Sequence, residues 1–281
     1  MPGNFFLMLI IAHEYKTRKP HEWLMFMLAL SDFLFCLNYV ALEAPFILDF
    51  TRIECKIAGP VEYLLGTLSI GVPPLVAYNR YLSLYNNQKY LKLFTNRNVL
   101  IAVGIILLYG LTWLLPFFIT GSLGQDDLGL CGTQVKSHLL AGVVGLAAMA
   151  HIVFYIILVY YSYKVIKKIR NHKRNAAQSQ LQSRLINESR EIITVVLIIS
   201  AVPLFAQMPG VTIKLLQSFL PFFDPWVSRP LIAPFPLTAA VNAYVTIYVI
   251  KDFRKKALVF YKKLFARSSQ VAPTPASGDG L

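Results

Sequence analysis

Charged residues are scarce in this chain. Only 15% of its 281 residues are Asp, Glu, Lys or Arg, whereas 56% are hydrophobic. A soluble globular domain carries about 25% charged residues, so the composition excludes an ordinary soluble domain. The sequence also lacks a metal-ligand cluster, a phosphate-binding loop and a nucleophile spaced to meet a base. It therefore predicts neither a metal site nor an enzyme.

Long runs of apolar residues make up much of the sequence. Each is about 20 residues or more, enough to cross a bilayer as a helix. Backbone groups must pair within the segment in lipid, so runs of this length predict helices rather than barrel strands. The predicted fold class is all-α, a bundle of seven transmembrane helices. After a shorter first span, the spans lie near 22–48, 54–84, 98–120, 138–163, 190–217 and 230–250.

The first span is short, because the polar stretch "HEYKTRK" at 13–19 interrupts it. A signal peptide would have a basic start and a small-residue cleavage site, and neither is present here. We expect a first helix that is truncated at its N-terminus, so that the chain begins inside it.

Basic residues are concentrated in alternate loops. There are 27 Lys and Arg against 14 Asp and Glu, a net charge of +13. The positive-inside rule places the basic loops and the C-terminus in the cytosol, as in a multi-pass plasma-membrane protein. The charge then forms a belt at the inner leaflet and requires no nucleic-acid partner. The basic segments are 16–19, 89–97, 164–190 and 251–267.

Cysteine is rare, with three in the chain. Cys55 lies at the start of the third span, and Cys131 lies in the loop between the fourth and fifth spans. Both are on the predicted exoplasmic side, where disulfides persist, so we predict a Cys55–Cys131 bridge. Cys36, inside the second span, is interpreted as an inert apolar residue.

Four features carry a family resemblance. The first span has a Gly-Asn pair that ends at Asn4, the second has "LALSD" ending at Asp32, and the third has "YNRY" with Arg80 and Tyr81. Arg80 follows the first exoplasmic cysteine by 25 residues. Together, over residues 3–265, these resemble the rhodopsin-like (class A) G protein-coupled receptors. The resemblance implies a heterotrimeric G protein as partner.

The "YNRY" motif departs from the family at one position. In the family an acid precedes the arginine and pairs with it at rest, until the sixth helix moves outward. Here Asn79 stands in that place, leaving Glu188 or Glu191 in the sixth span to reach Arg80. The resemblance implies a coupling role for Asn79, Arg80, Tyr81 and Glu191, with a weakened lock and raised basal activity. An alternative for Arg80 is a simple anchor at the membrane interface.

A subgroup resemblance is visible in "GTLSIGVPPLVAYNRYLSL", "LYGLTWLLPFF" and "LGLCGTQ", which are similar to stretches of opsins. Opsins bind retinal through a seventh-span lysine, and its position holds Pro236. The two opsin counterion positions hold Ala58 and Gln125. Without an amine no imine forms, so we expect no covalently bound retinal. The chain thus resembles the opsin-like chemoreceptors of nematodes.

Two further motifs are partly kept. The sixth-span "AQMP" has Gln207 where the family has tryptophan, and the seventh-span "NAYVT" keeps Asn242 but not the proline and tyrosine. The resemblance implies a transmembrane polar relay made of Asn4, Asp32 and Asn242. The alternative is a hydrogen-bonded packing contact with no relay role.

Ligand candidates lie in the exoplasmic half. Glu62 stands where amine receptors carry an acid that faces the pocket. A buried acid requires a partner, which is either a cationic ligand or Lys214; a third alternative is snorkelling at the lipid edge. Tyr63 and Gln207 are further candidate lining residues. His151 is interpreted as a histidine with a satisfied hydrogen bond.

The C-terminal region divides in two. The segment "KDFRKKALVFYKKLF" (251–265) places apolar residues on one helical face and basic residues opposite, which predicts an amphipathic eighth helix on the membrane. Residues 1–265 then form the receptor domain, and the Ser-, Pro- and Gly-rich residues 266–281 a disordered cytosolic tail.

The predicted function is a receptor that transmits an extracellular small-molecule or chemosensory signal to a heterotrimeric G protein. Two alternatives remain within the same fold: an opsin-related photoreceptor protein, and a degenerate receptor-like membrane protein that does not signal. A transporter would be expected to show repeated halves, which the spans lack.

Overall fold

The structure is a computed structural model that describes residues 2–13, 20–43, 52–125, 131–135, 137–174, 180–217 and 234–269. These residues form helices and one two-stranded sheet. The helices are α1 (Pro2–His13), α2 (Pro20–Glu43), α3 (Arg52–Tyr85), α4 (Asn87–Leu93), α5 (Asn96–Ile119), α6 (His138–Arg174), α7 (Gln180–Gln217), α8 (Pro234–Val249) and α9 (Lys251–Ser269). The strands are β1 (Leu123–Gln125) and β2 (Cys131–Thr133).

The predicted spans fall within these helices. Among the described residues, four stretches are long and apolar enough to cross a membrane: Pro20–Val40, Cys55–Tyr85, Asn96–Ile119 and His138–Asn171. Pro2–His13 and Ala239–Val249 are shorter apolar helices. The end of the second predicted span, at 44–48, and the start of the last one, at 230–233, lie outside the described residues. α6 and α7 extend past the spans to Arg174 and back to Gln180, as their basic, polar flanks predict.

α3 is the central helix of the bundle. It packs against α2, α5, α6 and α7, and its Val72, Val76 and Ala77 are fully buried in the main apolar core. Gly71 lies where α5 approaches closely. A Cβ at this position would come 2.8 Å from the Cγ2 of Ile106, so a residue with a side chain requires the Ile106 side chain or α5 to shift.

We call the two ends of the bundle the Cys55 end and the Arg80 end, after two residues of α3. At the Cys55 end, β1 and β2 form an antiparallel hairpin that pairs Gln125 with Cys131 and packs against α3. The sequence pattern did not predict this hairpin. At the Arg80 end lie the start of α2, the short helix α4 and the start of α9. α4 was also missed; its N-cap is Asn86, whose side chain accepts a hydrogen bond from the Lys89 backbone.

α9 forms over the predicted amphipathic stretch. Its Phe253 and Ala257 are buried, and the Phe260 ring contacts the Phe6 ring of α1 at 5.7 Å between centroids. The helix continues to Ser269. It thus ends four residues beyond the predicted end of the receptor domain at 265, and the contact of Phe260 with α1 holds α9 against the bundle.

Candidate functional site

A buried carboxylate joins three helices at the Arg80 end. Oε1 of Glu188, on α7, lies 3.5 Å from Nη1 of Arg80 on α3 and 3.5 Å from Nε2 of His21 on α2. Arg80 and His21 are buried, and the Glu188 side chain is 19% exposed. The same oxygen atom therefore contacts both the Arg80 guanidinium and the His21 imidazole. Since Arg80 is buried, it does not act as an anchor that snorkels to the lipid headgroups.

Asn79 contributes a hydrogen bond but no charge. Its Oδ1 accepts a hydrogen bond of 3.2 Å from Nε of Arg80. Tyr90, on α4, interacts with the Asn79 side chain and lies in the field of Arg80 and Glu188. Burial raises the pKa of the Tyr90 phenol, so its hydroxyl remains protonated near neutral pH. The guanidinium thus has Glu188 as its ion-pair partner among the described residues.

Glu191 does not contact Arg80, contrary to the sequence-based alternative that placed it in the lock. Its Oε2 accepts a hydrogen bond of 3.0 Å from the backbone N–H of Lys251, and its Oε1 lies 3.6 Å from Nζ of the same residue. Lys251 is the first residue of α9. The first N–H groups of a helix lack intrahelical acceptors and attract anions. The Glu191 carboxylate is therefore bound at the start of α9.

A second ion pair attaches α9 to α2. Nζ of Lys256 lies 3.0 Å from Oε1 of Glu22 and 3.2 Å from Oδ2 of Asp252. Glu22 is buried, so its charge is compensated by Lys256. α9 is thereby held by carboxylates from both α2 and α7.

Tyr81, the last residue of the "YNRY" motif, belongs to an aromatic stack between α3 and α6. Its ring lies 4.7 Å from that of Tyr85 and 5.2 Å from that of Tyr161, between centroids. The Tyr85 hydroxyl donates a 3.0 Å hydrogen bond to the backbone oxygen of Lys164. Tyr81 therefore packs α3 against α6.

A polar network lies in the middle of the bundle. Asn242 Nδ2 donates to Oδ2 of Asp32 at 2.8 Å, and Ser69 Oγ donates to Oδ1 at 2.7 Å. Asp32 is fully surrounded by protein, with one donor for each carboxylate oxygen. Asn4 is adjacent: its Nδ2 donates to the backbone oxygen of Ala239 at 2.8 Å. The predicted pairing of Asp32 with Asn242 is present, Ser69 is an additional member, and the relay role stays a prediction.

Replacing Asp32 with leucine is expected to lower the melting temperature of the purified protein strongly. Both donors would lose their acceptor, and a buried donor without an acceptor costs about 1–3 kcal/mol. Asp32→Asn is the matched control, because an amide keeps one acceptor oxygen and the Ser69 hydroxyl can rotate to accept. The measurement is thermal unfolding in detergent. Equal melting temperatures for Asp32→Leu and the unmodified protein would contradict a structural role for the network.

Comparison with known proteins identifies the family. The family model described as "7 transmembrane receptor (rhodopsin family)" matches residues 3–248. The chain belongs to this family. Its members are receptors rather than enzymes, and the helices of this receptor make it a multi-pass membrane protein.

A solved structure shows the same fold. This receptor is similar to squid rhodopsin, with a TM-score of 0.78 and 16% sequence identity, over 94% of this chain and 77% of the squid protein. At this identity the likeness shows the fold alone. It supports the predicted seven-helix bundle with an eighth helix, here formed by α1, α2, α3, α5, α6, α7 and α8, followed by α9.

The predicted ligand residues of the receptor are only partly described. Glu62 is half-buried on α3, one position before Tyr63. Gln207 and Lys214 belong to α7, and their side chains lie outside the described residues. The structure therefore does not test a Glu62–Lys214 pair. Cys55 is in a disulfide bond, and Cys36 is a buried thiol on α2.

Four aromatic side chains of α3, α5 and α6 form a cluster that the sequence did not predict. We call Tyr63, Tyr109, Trp113 and His151 the tyrosine-histidine cluster. Centroid distances are 6.5 Å for Tyr63 and His151, 6.1 Å for Tyr109 and His151, and 6.1 Å for Tyr109 and Trp113. Within the described residues, Nε2 of His151 is buried without a hydrogen-bond partner. The expectation of a hydrogen-bonded His151 therefore stays a prediction. In the sequence, only the i, i+4 spacing of Tyr109 and Trp113 indicated that two of these rings lie on the same face of a helix.

Proposed function

We propose that this receptor transmits an extracellular small-molecule or chemosensory signal across the plasma membrane to a heterotrimeric G protein. The observation that carries the proposal is the buried contact of Arg80 with Glu188, which joins α3 to α7 at one end of a rhodopsin-family bundle. Such a pair is a two-state element: it is closed in this structure and opens when α7 moves away.

Charge supports the orientation of the proposed receptor. The Arg80 end carries many exposed basic side chains, which suit the cytosolic leaflet and an acidic protein surface. With this orientation the C-terminus is cytosolic, and the hairpin and Cys55 face outside. A Cys55–Cys131 disulfide is then in an oxidising compartment. Among the described residues, these basic side chains are Lys89, Lys92, Arg97, Lys167, Arg170, Arg190, Lys251, Arg254, Lys255 and Lys262.

The coupling residues of the proposal are Asn79, Arg80, Tyr81 and Glu188. Asn79 supplies no charge to Arg80, so the resting state relies on one 3.5 Å ion pair with Glu188. This supports the hypothesis of a weakened lock and measurable basal activity. Glu191 acts in the proposal through α9, whose first N–H it accepts.

The ligand site of the proposal lies toward the Cys55 end, where Glu62, Tyr63, Gln207 and Lys214 belong to α3 and α7. Pockets between helices in such bundles are mostly apolar with a few polar groups. Glu62 favours a cationic ligand group, because a half-buried carboxylate is stabilised by an opposite charge.

We also propose that retinal is not bound covalently. Pro236 lies in α8 at the position of the opsin lysine, and the sequence has no lysine between Arg229 and Lys251. Incubation of the purified receptor with retinal is expected to give no new visible absorbance band, with an opsin treated in parallel as positive control. A visible band that hydroxylamine removes would contradict this prediction.

Nucleotide exchange tests the proposed coupling. The purified receptor in lipid nanodiscs is mixed with a panel of purified heterotrimeric G proteins, and uptake of a non-hydrolysable GTP analogue is measured. We expect uptake above that of empty nanodiscs on at least one heterotrimer, without added ligand. Uptake equal to empty nanodiscs on every heterotrimer would favour a receptor-like protein that does not signal.

A further inference from the structure

His21 lies in the first turn of α2 and contacts a carboxylate of another helix. Its Nε2 lies 3.5 Å from Oε1 of Glu188 on α7. Nη1 of Arg80, on α3, lies at the same distance from the same oxygen. The role of Arg80 in the proposed function does not explain why α2 contributes a histidine to this contact.

The three helices behave differently when the contact opens. In the proposed function α7 moves away from α3 and carries Glu188 with it. α2 packs against α3 along the bundle, and both His21 and Arg80 are buried there, so we expect these two side chains to stay together. His21 then loses Glu188 in the same step as Arg80 does. Any attraction between His21 and Glu188 therefore adds to the free energy that holds α7 inward.

The charge of His21 decides how strong this attraction is. A neutral imidazole forms no ion pair with Glu188, whereas an imidazolium does, and an ion pair is stronger where little water surrounds it. Histidine is the side chain that ordinarily changes its charge between pH 5 and 8. Glu188 remains 19% exposed, so protons from the solvent can reach the contact.

The surroundings of His21 make its proton depend on Glu188. Two features disfavour a positive charge on the imidazole: the guanidinium of Arg80, and the start of α2, where the helix dipole is positive. The charge of the adjacent Glu22 is compensated by Lys256 of α9, at 3.0 Å. Glu188 is thus the carboxylate that favours the protonated imidazole, and it lies on the helix that moves.

The other charged groups near α2 do not replace Glu188. α1 ends at His13, whose ring contacts Phe260 of α9, and α8 contains no charged residue. Arg97, at the start of α5, is exposed to solvent. Among the described residues, the charged and titratable groups around the contact are Glu22 from α2, Arg80 from α3, Tyr90 from α4, Glu188 from α7, and Asp252 and Lys256 from α9.

We propose that His21 is a second restraint on α7, which acts through Glu188 and becomes stronger as the cytosol becomes more acidic. The inward position of α7 binds the His21 proton more tightly than the outward position, because Glu188 lies beside the imidazole only there. By linkage, the proton favours the inward position. The added restraint is therefore present at low pH and is lost as the pH rises. A proton on Glu188 would act in the opposite direction, since it would remove the shared negative charge.

The inference rests on the proposed function for the movement of α7, and a distance measurement tests it without a G protein. Spin labels are attached through Leu185→Cys on α7 and Asn96→Cys at the start of α5, both exposed positions, in a receptor that carries Cys36→Ala. Pulsed electron spin resonance in nanodiscs gives the populations of short and long distances between the labels. We expect the ratio of long to short distances to rise about fivefold from pH 6 to pH 8, at the lower end of common coupling factors. Basal nucleotide exchange, corrected for empty nanodiscs at each pH, should rise in parallel.

Three variants identify the group that responds to pH. His21→Gln keeps a polar side chain but cannot take up a proton, so the ratio should be high and independent of pH. Glu188→Gln keeps His21 and removes its anionic partner, so it should also abolish the pH response, and it is the second test if His21→Gln does not fold. His138→Gln changes an exposed histidine at the start of α6 and should respond as the unmodified receptor.

The sign of the pH response separates the outcomes. A ratio that falls from pH 6 to pH 8 would identify Glu188 as the titrating group and overturn the proposal. A ratio independent of pH in the unmodified receptor would overturn it too, as would an unchanged pH response in His21→Gln. The expected distance change without any nucleotide exchange would support the restraint and contradict the proposed G protein coupling, so the two proposals can fail separately.

Discussion

Replacing Arg80 with alanine is expected to reduce G protein nucleotide exchange to the level of empty nanodiscs. In the proposed mechanism the guanidinium is the group that meets the G protein once α7 has moved away from α3. Arg80 is buried against Glu188 and His21 in the present state, so a short apolar residue leaves no cation at this end of α3 to replace it. The measurement is initial GTP-analogue uptake on the heterotrimer that responds best.

A surface arginine provides the control. Arg97, at the start of α5, is exposed and outside the ion cluster, so Arg97→Ala removes the same charge without touching the lock. It should retain most of the exchange activity. If Arg80→Ala keeps the activity of the unmodified receptor, Arg80 has no coupling role and the proposed mechanism is wrong.

Replacing Glu188 with glutamine is expected to change the same activity in the opposite direction. The amide keeps the size of the side chain but removes the negative charge that Arg80 and His21 share through Oε1. A loss of about 1–2 kcal/mol from the resting state shifts a two-state equilibrium roughly 5- to 30-fold. We expect the lower part of this range, because both distances are 3.5 Å.

The opposite signs distinguish a lock from a purely structural ion pair. If the contact only stabilised the fold, Arg80→Ala and Glu188→Gln would both reduce activity through loss of folded protein. Glu191→Gln removes the same charge about one turn further along α7, where the partner is Lys251, so any rise in exchange that it causes acts through α9 and not through Arg80. An unchanged or reduced exchange rate for Glu188→Gln, with normal expression, would exclude Glu188 as a restraint.

The sequence predicted the helices better than their connections. Long apolar runs define helices because lipid leaves no alternative for the backbone, and the amphipathic pattern of 251–265 placed α9. The hairpin β1–β2 was missed because its strands are three residues each, too short for a periodic pattern. α4 was missed for a similar reason: its seven residues depend on the Asn86 cap and on no apolar face of their own.

Residues of the candidate site could be predicted where a family motif indicates how deep each residue lies along its helix. Asp32 and Asn242 were placed together through two motifs, and they are hydrogen-bonded. Ser69 joins them as well; it lies in the opsin-like stretch that begins "GTLSI", but that resemblance did not indicate Asp32 as its partner. The choice between Glu188 and Glu191 required the position of α9, because the partner of Glu191 is a backbone N–H whose location no residue type encodes.

The capping of α9 by Glu191 links two movements thermodynamically. Any displacement of α7 that carries Glu191 away leaves the first N–H of α9 without its acceptor and Lys251 without its counter-charge. Linkage is reciprocal, so whatever stabilises α9 in its capped position also stabilises the inward position of α7. A membrane that attracts or releases this basic helix would therefore change the equilibrium of α7 without having to bind α7 itself.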